Sequence, residues 1–232
     1  LKAAISYGIE AVSSLFFPKV CAGCGTDITG DEIICIPCMH NLPVTNYHMH
    51  SSNPVEKIFW GRVPLLTAFS YLYFNKHSIV QSLLHQLKYQ SNQEVGLFFG
   101  RQIGKAILSS NRYNDLEYLI PLPLHPSKQK KRGYNQAEMI CNGISEVLHI
   151  PVNTEILVRP VKNETQTHKS RMERWENTSG KFSIIKKEKL EGKHIMLVDD
   201  VVTTGATLEV SAAMLLTTGC RLSIGTLAYT LL

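Results

Sequence analysis

The segment IMLVDDVVTTGATL at residues 195–208 constrains the chain most. Its first four residues are apolar without a break, which reads as a short strand buried on both faces. Asp199 and Asp200 close that strand. Thr203, Thr204, Gly205, Ala206 and Thr207 then lead into a helical pattern over 206–218. Strand, acidic pair, loop and helix in this order make one unit of an open α/β sheet, and such sheets bind ligands beyond the carboxyl ends of their strands. Successive backbone N–H groups and three hydroxyls beside a helix N-terminus suit a phosphate monoester. Gly205 lets the backbone approach closely, having no Cβ. The carboxylates repel a phosphate. They suit ribose hydroxyls, or a Mg²⁺ reached directly or through water. Phosphate at one end and a diol at the other describe a ribose 5-phosphate.

The remaining pattern alternates in the same way. Residues 65–73 read as a strand, 79–87 as a helix, and 94–109 as a second helix with Gly96, Gly100 and Gly104 four apart, a row that permits close helix packing. A strand over 118–124, a helix over 136–149, strands over 155–159 and 194–198, and a closing strand over 222–229 complete the order. Strands alternating with helices imply a parallel sheet flanked by helices. The chain of 232 residues is long enough for one such domain, placed at 64–232, and a small appendage. Hydrophobic content of 44% with 19% charged residues excludes a disordered chain. The net charge of +5 suits an anionic ligand, whether a small phosphate or a nucleic acid.

Four of the six cysteines form two C-x-x-C pairs, Cys21 with Cys24 and Cys35 with Cys38. Each pair can place two thiolates about one metal, and two pairs complete a tetrahedron that leaves no open position, as in structural sites. Zn²⁺ is the expected ion, with an iron–sulfur cluster as the chief rival. Pairs clustered in this way point to a reducing compartment, hence a cytoplasmic location. Cys141 and Cys220 stand apart and read as core residues. Residues 19–44 form the expected four-cysteine zinc module, and the polar, His-dotted residues 45–63 the linker behind it, with His40, His48 and His50 at the surface. Residues 1–18 place Ile5, Ile9, Val12 and Phe16 on one stripe, as in a helix packed on the domain. Lys2, Glu10 and Pro18 break the run, so neither a membrane span nor a signal peptide is expected.

Two further segments carry basic residues without apolar periodicity. After the strand at 118–124 comes a loop with His125, Lys128, Lys130, Lys131 and Arg132, entering a helix at Asn135-Gln136. Lys point charges and an Arg fork suit pyrophosphate. Residues 159–177 hold Arg159, Lys162, Gln166, His168, Lys169, Arg171 and Arg174.

The 195–208 string matches the phosphoribosyl-pyrophosphate signature of type I phosphoribosyltransferases. Together with the cysteine pairs, His85-Gln86-Leu87-Lys88-Tyr89, Arg132-Gly133-Tyr134-Asn135-Gln136 and the 159–177 segment, the chain resembles the competence protein F (ComF) family. That family is a zinc-knuckle relative of the amidophosphoribosyltransferases. The resemblance implies a type I phosphoribosyltransferase fold that binds phosphoribosyl pyrophosphate (PRPP) with Mg²⁺ and transfers ribose 5-phosphate to a nitrogen acceptor. It implies that Asp199 and Asp200 hold the ribose and Mg²⁺, that residues 203–207 hold the 5-phosphate, and that Lys88, Arg132, Gln166 and Arg174 serve the pyrophosphate side. Residues 159–177 would be the hood that closes over it, although Lys169 stands where the family has Leu. The alternative is a non-catalytic accessory protein or PRPP sensor that binds single-stranded DNA or a partner protein in DNA uptake.

Overall fold

Strand pairing sets the frame of the molecule. β1 (Thr67–Phe74), β2 (Tyr118–Pro121), β5 (His194–Val202) and β6 (Arg221–Thr230) lie in the order β1-β6-β5-β2, all parallel. The computed structural model describes residues 19–30, 32–90, 92–159, 182–185 and 187–230. The expected helix over 1–18 and most of the 159–177 segment, with Gln166 and Arg174, lie outside them.

Helices cover both faces of the sheet, as the unbroken apolar run in β5 requires. On one face lie α3 (Ile79–Tyr89), α4 (Gln93–Leu108) and α6 (Gln136–Leu148), packed on Phe69, Met196 and Val198. On the other lie α2 (Pro54–Phe59) and α7 (Ala206–Leu216), packed on Ala68, Ile195, Leu197 and Ile224. A hairpin of β3 (Leu157–Val158) and β4 (Ser183–Ile184) joins that second layer. The strand expected over 155–159 is therefore a two-residue antiparallel element outside the main sheet.

The glycine row acts as the spacing suggests. At Gly100 a Cβ would lie 2.8 Å from Gly143 Cα and 3.0 Å from Ile144 N, so α4 and α6 cross backbone to backbone. Cys141, fully buried, and Cys220 are core residues.

Residues 45–63 are not a linker. The chain from Pro43 to Thr45 runs antiparallel along β1, with Thr45 N donating to Tyr71 O at 2.9 Å and Tyr73 N to Pro43 O at 2.9 Å. Asn53 then caps α2, its Oδ1 accepting from Val55 N and Glu56 N, while its Nδ2 donates to Ala68 O at 2.9 Å. Val55 and Phe59 are buried, and Arg112 Nη2 reaches Glu56 Oε1 at 2.6 Å. His48, expected at the surface, is buried with its ring against Phe69. The polar composition misleads because Asn53, Glu56 and Arg112 satisfy backbone and each other inside the fold.

The start of β5 carries an Asp–His–Ser chain. His194 Nδ1 lies 2.7 Å from Asp115 Oδ1, and its Nε2 lies 2.8 Å from Ser223 Oγ, which receives the Thr67 hydroxyl at 2.9 Å. His194 and Ser223 are fully buried. The group stitches β5, β6 and β1 together at the end opposite the acidic pair, roughly 17 Å away along the strand. It is a structural tie.

Candidate functional site

The acidic pair lies inside a strand rather than after one, because β5 continues to Val202 beside β6, whereas β2 stops at Pro121 opposite Val198. Pairing passes over one level of the sheet, at Tyr71, Leu227 and Asp200. Beyond it the alternation of faces inverts: Val202 joins the layer of Ile195 and Leu197 although five residues separate it from Leu197. Asp199 and Asp200 thus occupy the kinked carboxyl edge of a central strand. Asp200 N donates to Asp199 Oδ1 at 2.8 Å, and Lys88 Nζ, from the last turn of α3, lies 3.0 Å from Asp200 Oδ2. Burial, and then the neighbouring Asp200 charge, push the Asp199 carboxyl up to about 8.

Thr203, Thr204, Ala206 and Thr207 are exposed, and Gly205 between them is buried. Gly205 has φ 75° and caps α7, so this turn needs glycine for its backbone and for its space. A Cβ there would lie 2.7 Å from Ile58 Cγ2 and 3.0 Å from Phe59 Cε1. α2 therefore supports the turn from beneath. Arg62, just past α2, donates from Nη1 to Thr204 O at 3.4 Å and to Glu209 Oε2 at 3.3 Å. The first turn of α7 leaves N–H groups without intrahelical partners beside four exposed residues. Such a turn accepts a phosphate.

The basic segment after β2 is not a loop. Pro126 starts α5 (Pro126–Arg132), whose N-cap His125 accepts from Ser127 N, and Gly133 ends it at φ 81°. Lys128, Lys130 and Lys131 are exposed on it. Arg132 is different: its guanidinium lies 5.5 Å from the centroid of the Tyr89 ring, and Nη1 donates to Gln136 Oε1 at 2.8 Å. Asn135 caps α6, its Oδ1 accepting from Ala137 N at 3.1 Å, while its Nδ2 donates to Leu122 O at 3.0 Å. Tyr134 is buried and donates to Leu87 O, so the segment is clamped to α3 close to Lys88. Gln136 is 1% exposed; among the described residues its Nε2 makes no close hydrogen bond, and the side chain interacts with the Tyr134 hydroxyl.

The four cysteine sulfurs, that of Cys38 on α1 (Ile36–His40), lie within 4.8 Å of one another, and Cys24 Sγ is 3.7 Å from Cys35 Sγ. The edge of a tetrahedron with Zn–S bonds of ~2.3 Å is about 3.8 Å, so the set fits a zinc knuckle. Thr26 Oγ1, 3.1 Å from Cys24 Sγ, holds that thiol down at about 6, favouring the ligating form. The module sits on α3, where Gln86 Nε2 and Ser82 Oγ donate to Ala22 O at 2.9 and 3.2 Å. One helix therefore touches the cysteine module along its side and Asp200 at its end.

The structure thus brings Asp199, Asp200, Lys88, Arg132 and the 203–207 turn to the carboxyl edge of the sheet, and keeps the cysteines apart from them. Sequence reasoning named Tyr89 only as part of the His85–Tyr89 string, and it missed Arg62 and the α2 brace. Their only signal was Trp60-Gly61-Arg62 in a stretch too polar to suggest a packed element.

Residues 139–230 match the family model described as the phosphoribosyl transferase domain. The DNA utilization protein YhgH of Shigella flexneri is 29% identical over 204 residues, covering 86% of this chain and 85% of that protein. Competence protein F of Haemophilus influenzae is 29% identical over 194 residues, covering 82% and 80%. Competence protein ComFC of Bacillus subtilis is 30% identical over 152 residues, covering 65% and 59%. Among solved structures, the glutamine PRPP amidotransferase of B. subtilis aligns with a TM-score of 0.44 at 18% identity, over 61% of this chain but 30% of that enzyme.

A parallel sheet flanked by helices, with an acidic pair and a threonine-glycine turn at its carboxyl edge, makes this a protein of the type I phosphoribosyltransferase fold. Over more than four fifths of its length the chain is similar to competence protein F and to the DNA utilization protein YhgH, which supports a place with the competence protein F family within that superfamily. No helix among the described residues is long and apolar enough to cross a membrane.

Proposed function

We propose that this protein binds phosphoribosyl pyrophosphate and transfers its ribose 5-phosphate to a nitrogen acceptor. The observation that carries the reading is the exposed 203–207 turn placed directly after two carboxylates on a central strand. The turn offers N–H groups and hydroxyls to the 5-phosphate. Asp199 and Asp200 accept from the ribose hydroxyls. Lys88 and Arg132 would meet the pyrophosphate, Lys88 leaving Asp200 for the anion and Arg132 oriented by Gln136. Gln166 and Arg174, outside the described residues, would complete this side. Mg²⁺, held by Asp199 and Asp200, would supply positive charge to the departing pyrophosphate. Bond cleavage develops positive charge at the ribose, and two carboxylates near it stabilise that charge electrostatically. The cysteine module holds Zn²⁺ in a structural role. The names of the relatives support a place in DNA use or uptake. They also favour a second reading, in which bound PRPP is sensed while the chain contacts single-stranded DNA or a partner protein.

Calorimetric titration with PRPP and Mg²⁺ tests the site. Wild type should bind and an Asp199→Asn, Asp200→Asn double variant should not. Equal affinity in the two would sink the assignment. Incubation with bases, ammonia and glutamine, following pyrophosphate release, then separates the readings: turnover marks a transferase, and binding without turnover marks a sensor.

A further inference from the structure

We infer that Arg62 is a direct ligand of the 5-phosphate, held ready by Glu209; this rests on the ribose 5-phosphate reading of the 203–207 turn. A phosphate monoester on that turn brings close to two negative charges, and the turn itself offers only neutral donors. Lys88 and Arg132 do not supply the missing cation there: among the described residues neither bonds to the turn, Lys88 reaching Asp200 and Arg132 reaching Tyr89 and Gln136. Arg62 does reach the turn, with Nη1 3.4 Å from Thr204 O.

Its donor capacity is largely unspent. A guanidinium carries five N–H donors on three nitrogens. Both bonds of Arg62 leave from Nη1, so Nε and Nη2 have no partner among the described residues. The side chain is 48% exposed, and its base is fixed because α2 and the following turn are anchored through Asn53, Glu56 and buried Phe59. Glu209 lies in the first turn of α7 and shares Arg62 in the free protein. Its carboxylate would repel an arriving phosphate, so the ion pair both orients the arginine and screens the acid. On binding, the guanidinium exchanges the carboxylate for phosphate oxygens, an arrangement in which it can donate two parallel bonds.

The rival explanation is that Arg62 only steadies the turn through Thr204 O. The two differ in sign at Glu209. If Arg62 is a brace, Glu209→Gln loosens it and weakens binding. If Arg62 is a phosphate ligand, Glu209→Gln releases it and removes a repulsive charge, so binding tightens, by about threefold for an exposed pair. The experiment titrates wild type, Arg62→Gln and Glu209→Gln with ribose 5-phosphate and, separately, with PRPP and Mg²⁺. Arg62→Gln should weaken both ligands by the same factor, roughly tenfold, because the phosphate end is common to them. Arg132→Gln should weaken PRPP alone. Equal affinity of Arg62→Gln and wild type for ribose 5-phosphate, or weaker binding by Glu209→Gln, would overturn the inference while leaving the site reading intact. Failure of wild type to bind either ligand would overturn both. Because Glu209→Gln removes an exposed carboxylate, its result stands even if Arg62→Gln folds poorly.

Discussion

Gly100→Ala is the sharpest probe of how the site is mounted. The added Cβ would fall 2.8 Å from Gly143 Cα and 3.0 Å from Ile144 N, with the Ile140 carbonyl oxygen closer still. All three are backbone atoms of α6, so no rotamer change relieves the contact. The helices must separate by about 1 Å to restore ordinary contact in a close-packed layer. Overpacking of this kind costs about 1–3 kcal/mol, and a backbone collision belongs at or above the upper end. Alanine returns about 1 kcal/mol of helix propensity. The expected net loss is about 2 kcal/mol, or a fall of about 4–8 °C in melting temperature for a domain this size. Denaturant and thermal melts measure it. Gly104→Ala is the control: its tightest approach, Val147 Cβ at 2.9 Å, is looser than the Gly100 contact with the Ile140 carbonyl oxygen, and its nearest backbone atom is 3.3 Å away, so its loss should be smaller. The separation should also move Asn135 and Gln136 at the head of α6 and weaken PRPP binding. A Gly100→Ala variant as stable as wild type would refute the backbone-to-backbone crossing.

Asp199 gives a pH signature in metal-free buffer. Its folded-state pKa is raised, by burial and then by Asp200, to about 8. The folded protein therefore keeps a proton that the unfolded chain releases near pH 4, and stability falls as pH rises between those values. Asp199→Asn should flatten that slope and exceed wild type in stability at pH 8, while losing PRPP binding; parallel pH profiles for the two would contradict the account. For the cysteine module, elemental analysis of protein purified under reducing conditions should find about one Zn per chain. A strong chelator or Cys38→Ser should lower the melting temperature, since Cys21 and Cys38 are buried against α3. Iron in place of zinc, or a melt indifferent to chelation, would count against the knuckle.

The parts of the site legible in the sequence were those whose chemistry is local. A strand, two acids, a glycine turn and a helix follow one another within 195–208, so pattern alone orders them. The cysteine pairs were legible for the same reason. The register of β5 was not: it extends past Val198 because β6 remains beside it, a pairing between distant segments. α5 was hidden because a run of lysines with no apolar residue looks like a solvated loop, and only Pro126 and Gly133 mark its ends. The α2 brace was hidden because Asn53, Glu56 and Arg112 are buried or half-buried through mutual satisfaction, which composition scores as surface. Arg62 belongs to the same blind spot. Its meaning comes from Thr204 and Glu209, more than 140 positions away.

The place of β6 has a consequence for how the protein is made. It is the last described strand in the chain, yet it lies between β1 and β5 and pairs with both. During synthesis the cysteine module emerges before the sheet, while the edge of β1 that takes β6 stays unpaired until Thr230 has left the ribosome. Such late, long-range pairing is slow and leaves hydrophobic strands open to aggregation. The ligand turn is then completed in one closing event, so a nascent chain holds no half-formed site able to sequester its ligand. Translation that stops short of Arg221 should leave the cysteine module on an unassembled sheet.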